Sequence, residues 1–218
     1  MKKGLTELVF ILDKSGSMAG LETDTIGGFN AMLEKQKAVE GECLITTVLF
    51  DHTYELLHDR TDILAVNPIT EKEYAVGGMT ALLDAVGRTI DKIDKAQEHT
   101  AEEYRAEKVM FVIITDGAEN SSREYSAPAI KKAIEHRKAK QGWEFVFLGA
   151  NIDAAEAAGN LGISADRSQN YHADAKGTRL NFSVMSDAVS AYRKHSAMPA
   201  DWNAEIKKDF DKRQKPKK

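Results

Sequence analysis

The chain has 218 residues, 42% hydrophobic and 29% charged, which suits one large folded domain and excludes a disordered chain. Its 30 Lys and Arg against 34 Asp and Glu give −4, unevenly spread: Lys207–Lys218 carries +5 and the remainder −9. So acidic a body argues against nucleic acid as partner, and one cysteine, Cys43, excludes an intrachain disulfide and a zinc finger.

Met1-Lys2-Lys3 followed by Leu8–Leu12 looks briefly like a secretory signal. The apolar run is only 5 residues, closed by Glu7 and Asp13, where a signal core needs roughly 7–15. It reads instead as a buried strand. No run approaches the ~18 residues of a membrane span, so the expectation is a cytoplasmic protein that does not engage membranes.

Ile26, Phe29 and Leu33 then suggest a first helix, weakened by Gly27 and Gly28. Leu44–Phe50 is rich in β-branched residues and reads as the second strand. Thr53–His58 follows too closely for a parallel return and must pair with it antiparallel. On that strand His52 and His58 would face the same way as Tyr54 and Leu56, as structural side chains. Leu82, Val86, Ile90 and Ile93 form a helical stripe. Val109–Ile114 and Phe145–Leu148 are further buried strands. Between them, Ser126-Ala127-Pro128 marks a helix start, with Ile130 and Ile134 inward. A sixth strand is expected near Gln169–His172. Leu180, Val184, Ala188 and Tyr192 define a last helix, and 199–218 is expected to be a charged tail dispensable for folding, leaving a domain over 1–198; a short docked helix on Trp202, Ile206 and Phe210, spaced four apart, is the competing reading.

Strands alternating with helices indicate an α/β, doubly wound, mainly parallel six-stranded sheet with helices on both faces. Right-handed crossovers give the order 3-2-1-4-5-6, with strand 3 the antiparallel edge. The winding reverses between strands 1 and 4, and ligands in such sheets bind at the carboxyl ends of the strands bordering that reversal.

Those ends carry Asp13-Lys14-Ser15-Gly16-Ser17-Met18 and Thr115-Asp116-Gly117. A third segment, Gly77-Gly78-Met79-Thr80, opens the Leu82 helix. Together they offer two carboxylates and three hydroxyls, without sulfur or imidazole. Oxygen-only ligation suits a small hard cation, Mg²⁺ or Mn²⁺ ahead of Ca²⁺ or Zn²⁺. Singly, each segment also reads as an ordinary turn or helix cap; their coincidence at the right strand ends favours a site.

The stretch Val9–Met18 resembles the metal-ion-dependent adhesion site of the von Willebrand factor type A domain, a Rossmann-like fold. Gly77–Thr80 with Leu82–Ala85 resembles that family's second segment, and Ile113–Gly117 its third. The similarity covers roughly residues 5 to 195. It implies that Ser15 and Ser17 bind the metal through their hydroxyls, with Thr80 direct or through water. Asp13 and Asp116 would lie behind, and a protein partner's Asp or Glu would fill the open position. Met79 stands where the family often has a small polar residue. A rim of Met18, Met79, Glu119, Asn120 and Ser121 would select the partner.

Other chemistries lack their parts. Asp13–Asp24 has the length of an EF-hand calcium loop but Met18 at the glycine position. A haloacid-dehalogenase-type phosphatase needs a second aspartate where Ser15 stands. There is no Walker-A loop, GxGxxG or GxSxG. The reading is therefore a metal-dependent protein-binding module rather than an enzyme. An accessory subunit of an ATPase or chelatase-like complex and a metal-dependent phosphate-ester hydrolase are the alternatives.

Overall fold

Strands buried on both faces need helices on both sides, and alternate side chains along each strand then belong to different cores. In the computed structural model, which describes residues 1–214, this is what β1 (Lys2–Asp13) does. Leu8, Phe10 and Leu12 enter one core, while Leu5, Val9 and Ile11 enter the other. β2 (Cys43–Phe50) and β4 (Ala106–Thr115) flank β1 in parallel, with Leu8 opposite Ile45 on one side and Met110 on the other. β3 (Tyr54–Asp62) is the antiparallel edge on β2. β5 (Glu144–Gly149) and β6 (Ser168–Asn170) extend the other side, giving the order β3-β2-β1-β4-β5-β6.

The first core is covered by α1 (Glu22–Lys37) and α5 (Ala175–His195). α1 forms despite its two glycines because Gly28 lies where α5 comes closest. A Cβ there would meet the Phe182 ring at 2.5 Å, so helix propensity is traded for close packing. The second core is covered by α2 (Leu82–His99), α3 (Ala127–Gln141) and α4 (Ala154–Asn160). The 7-residue α4 has too short an apolar pattern to be legible in the sequence.

Two expectations need correction. β3 begins at Tyr54, so His52 lies exposed in the β2–β3 turn rather than on the strand. The segment after Pro199 is not an undocked charged tail. It forms α6 (Ala204–Arg213), so α5 is not the last helix. Trp202 and Ile206, spaced four apart, are buried in the first core, and Trp202 Nε1 donates to the Asp166 carbonyl at 2.9 Å. His172 stacks on Phe210 with ring centroids 4.7 Å apart. Lys207, Lys208 and Lys212 are exposed, while Arg213 turns in to Asp174 and Asp209. Positions 215–218 of the expected tail lie outside the described residues. Among the described residues no helix is long and apolar enough to cross a membrane.

Burying one large apolar side chain is worth about 1.5–3 kcal/mol. Truncation after Met198 removes two, so it should lower the urea midpoint and the Tm well beyond experimental error. An unchanged urea curve would show that α6 contributes nothing to stability.

Candidate metal centre

The crevice lies where β1 and β4 run side by side and their following helices leave on opposite faces. Asp13 is the last residue of β1, and Asp116 follows the last residue of β4. Both are about 1% exposed. Asp13 is partnered: Oδ1 accepts the Ser15 backbone N–H at 2.7 Å, and Oδ2 accepts the Thr115 hydroxyl at 2.6 Å. Asp116 is not. Among the described residues neither of its carboxylate oxygens has a hydrogen-bond partner. A buried, unpaired carboxylate is costly unless a cation or proton joins it.

After Asp13 the chain makes a single 3₁₀ turn over Gly16–Met18. This brings the hydroxyls of Ser15 and Ser17 to 3.0 Å from each other, Ser15 buried and Ser17 at the mouth. Lys14 points away, its ammonium 2.7 Å from Glu55. Thr80 is buried and reaches the same place: a methyl group at Gly117 would lie 3.2 Å from Ser17 Oγ and 3.5 Å from Thr80 Oγ1. The five residues singled out in the sequence, Asp13, Ser15, Ser17, Thr80 and Asp116, thus converge from three loops. Among the described residues no three His, Cys, Asp or Glu side chains converge to hold a metal. The donors here are two carboxylates and three hydroxyls, a set that fits a hard divalent cation.

The three loops are tied by backbone bonds. Gly77 N–H donates to the Lys14 carbonyl and Gly16 N–H to the Gly78 carbonyl, at 2.9 and 3.0 Å. Gly78 has φ +75°, and a Cβ there would run into the His52 imidazole and approach the Asp51 carboxylate, so only glycine fits. The Asp51 carbonyl accepts the Ala81 N–H, which ties the end of β2 to the start of α2. Thr80 and Asn120 bond reciprocally: Thr80 N–H donates to Asn120 Oδ1 and Asn120 N–H to the Thr80 carbonyl. From below, the Tyr74 hydroxyl donates to the Asp13 carbonyl.

The expected rim is only partly a rim. Met79 is 54% exposed and fits the expectation, but Met18 is buried in the first core. Glu119 is turned inward, accepting the N–H groups of Leu83, Ser121 and Ser122 and the Ser122 hydroxyl. It caps α2 from a distance, where Thr80 makes no cap and the N-cap position is Ala81. Ser126 occupies the N-cap of α3 without a side-chain cap bond. Asp84, in the first turn of α2, holds the loop that leads into α3, accepting the N–H groups of Arg123, Glu124 and Tyr125 at 2.9 Å each. Sequence reasoning missed Asp51, Glu119 and Asn120 as scaffolding. Acidic and amide side chains beside a helix start were the available signal.

Burial pushes the Asp116 carboxyl above its ordinary value of 3.8, opposed by the nearby Ser17 hydroxyl and reinforced by the charge of Asp13; burial pushes Asp13 the same way. For a carboxyl raised on folding, the stability contribution is present below the ordinary value and lost as pH rises through the raised one. Asp116→Asn should therefore stabilise the metal-free protein at neutral pH by about 1 kcal/mol or more, and the gain should shrink towards acid. Urea unfolding in EDTA across pH measures this; a destabilised variant at neutral pH would refute the unpaired charge. Asp84 has the opposite sign. Burial alone would raise it, but its three backbone donors outweigh that and hold the carboxyl below 3.8. Its contribution is present above the ordinary value and lost as pH falls through the depressed one. Asp84→Ala should cost about 1–2 kcal/mol at neutral pH, the half-exposed position keeping the figure low.

No protein-family model and no curated protein matches this sequence. Solved structures do match in fold. Proximal thread matrix protein 1 from the mussel byssus is 15% identical with a TM-score of 0.56, over 86% of this chain and 46% of that one. A von Willebrand factor type A protein from Catenulispora acidiphila is 14% identical at 0.56, over 85% and 42%. The ArnB paralog VWA2 from Sulfolobus acidocaldarius is 16% identical at 0.53, over 86% and 45%. This chain spans less than half the length of each. A further structure of the mussel protein, 15% identical with a TM-score of 0.56 over 87% of this chain and 46% of that one, has a zinc-occupied adhesion-site motif. By strand order, by the antiparallel edge and by these alignments, this chain has the fold of the von Willebrand factor type A domain.

Proposed function

We propose that the chain is a protein-binding module whose contact with its partner runs through a divalent cation, Mg²⁺ or Mn²⁺. The residues that would hold it are Asp13, Ser15, Ser17, Thr80 and Asp116. The observation that carries the reading is Asp116: a buried carboxylate without a partner, facing a pocket of oxygen donors. The zinc in the mussel protein supports a divalent ion in this fold; oxygen-only donors favour a harder one here. When bound, the cation supplies an electrophilic position open to an incoming carboxylate.

Two aspartates balance the ion's charge and leave three weakly donating hydroxyls, so a partner's Asp or Glu outcompetes water. Ser17, exposed at the mouth, stands nearest that partner. We place the module among binding proteins rather than enzymes, because Ser15 holds the position where a phosphatase of related architecture needs its second acid. Cys43, a buried free thiol, suits a reducing cytoplasm.

A cation that binds only the folded state adds about 2.7 kcal/mol at 100 times Kd. Mg²⁺ or Mn²⁺ should raise the Tm of the parent, raise it less in Ser17→Ala, and leave Asp116→Asn unmoved. An equal shift in all three proteins would overturn the assignment. Capture of a native partner should be abolished by EDTA and restored by Mg²⁺.

A further inference from the structure

Gly117, Ala118 and Glu119 have a second side. The loop that carries Asp116 also walls an open groove of about 430 Å³, formed with the start of α2, the start of α3 and α4. Leu82 and Leu161 are buried in it, while Leu83, Ala127, Ile152 and Ala157 are left half-buried. These four pack against the second core on one side and lie open to the groove on the other. Two exposed carboxylates, Asp153 and Glu156, stand on its α4 wall. Among the described residues neither forms an ion pair, though Asp153 caps α4 by accepting the Glu156 N–H. Glu119 adds no free charge, since its oxygens are taken by backbone and hydroxyl donors.

We propose that this groove is the specificity pocket of the metal-dependent interface. The occupant is a partner segment that carries a bulky apolar residue and a Lys or Arg close to its metal-binding acid. The inference rests on the proposed cation site, and it adds what that site cannot supply. A cation selects a carboxylate but not its neighbours. The groove selects an apolar side chain by burial, and Asp153 with Glu156 selects a basic one by charge complementarity. Because the groove shares the 117–119 wall with the cation site, one short segment reaches both.

The probe is a random peptide library panned against the whole chain in Mg²⁺, with EDTA as the control. Mg²⁺-dependent binders should be enriched in an acid flanked by a large apolar residue and by Lys or Arg. For a synthetic peptide so selected, Ala157→Trp should fill the groove and weaken binding about tenfold or more, as loss of one buried apolar side chain implies. Glu156→Lys should weaken it chiefly at low salt. Both variants should keep the Mg²⁺-induced rise in Tm, which shows that they fold and hold the cation. Mg²⁺-dependent binders without this enrichment, or indifferent to both substitutions, would overturn the groove and leave the cation site standing. So would a library that yields no Mg²⁺-dependent binder while Mg²⁺ still raises the Tm. A parent that shows no Mg²⁺ shift, with peptides bound equally in EDTA, would overturn the cation site as well.

Discussion

Asp116 has two carboxylate oxygens out of water and, among the described residues, no hydrogen-bond partner for either. Everything around the crevice follows from that arrangement. Asp13 beside it is fully committed to Ser15 and Thr115, so it adds negative charge without relieving any. A fold that served stability alone would pair this carboxylate or replace it with an apolar residue of similar size. The cost is tolerable because it falls on one side chain at the rim of two well-packed cores, and because a cation would remove it.

Holding five oxygens at one point from three loops demands that the loops not move independently. The protein achieves this mostly with main-chain groups. Loop 13–18 is bonded to 77–78 through its own carbonyl and N–H, and 80 to 120 by a reciprocal pair. Asp84 and Glu119 then exchange roles across the gap: the α2 acid organises 123–125, and the loop acid caps the start of α2. Glu119 thereby satisfies one orphan N–H group of α2, that of Leu83, while Asp84 holds the loop that leads into α3.

What was legible in the sequence was whatever depends on period and strand end. Continuous apolar runs gave β1, β4 and β5, because a strand buried on both faces has no polar alternation to confuse it, and right-handed crossovers gave the order. The short Phe50–Tyr54 connection gave the antiparallel edge. The meeting of the Asp13 and Asp116 loops was legible because topology places the ends of β1 and β4 together; Thr80, at the start of α2, was tied to them by the family resemblance. Side-chain direction was not legible. Met18 looks like a rim residue by position, yet the 3₁₀ turn sends it into the first core. Glu119 looks like a free charge, yet backbone N–H groups claim it. Trp202 and Ile206 were outvoted by the lysines around them, since a one-turn apolar stripe in a charged segment weakly distinguishes docking from solvation.

The two faces of the sheet have come to do different work. α1, α5 and α6 close the first core, sealed by Trp202 and by the close approach of Gly28 to Phe182. The elements laced to the crevice, α2 and the 117–125 loop, belong to the second face, where α4 is short enough to leave Ile152 and Ala157 half-covered. The fold keeps apolar surface open beside a carboxylate that has no partner among the described residues, two features that separately cost stability. Both lie against one loop, so in the proposed complex a segment bringing an acid and an apolar side chain would relieve them together. Rigidity on the first face and incompleteness on the second are then complementary: the strand ends can be held open only because the opposite core is closed.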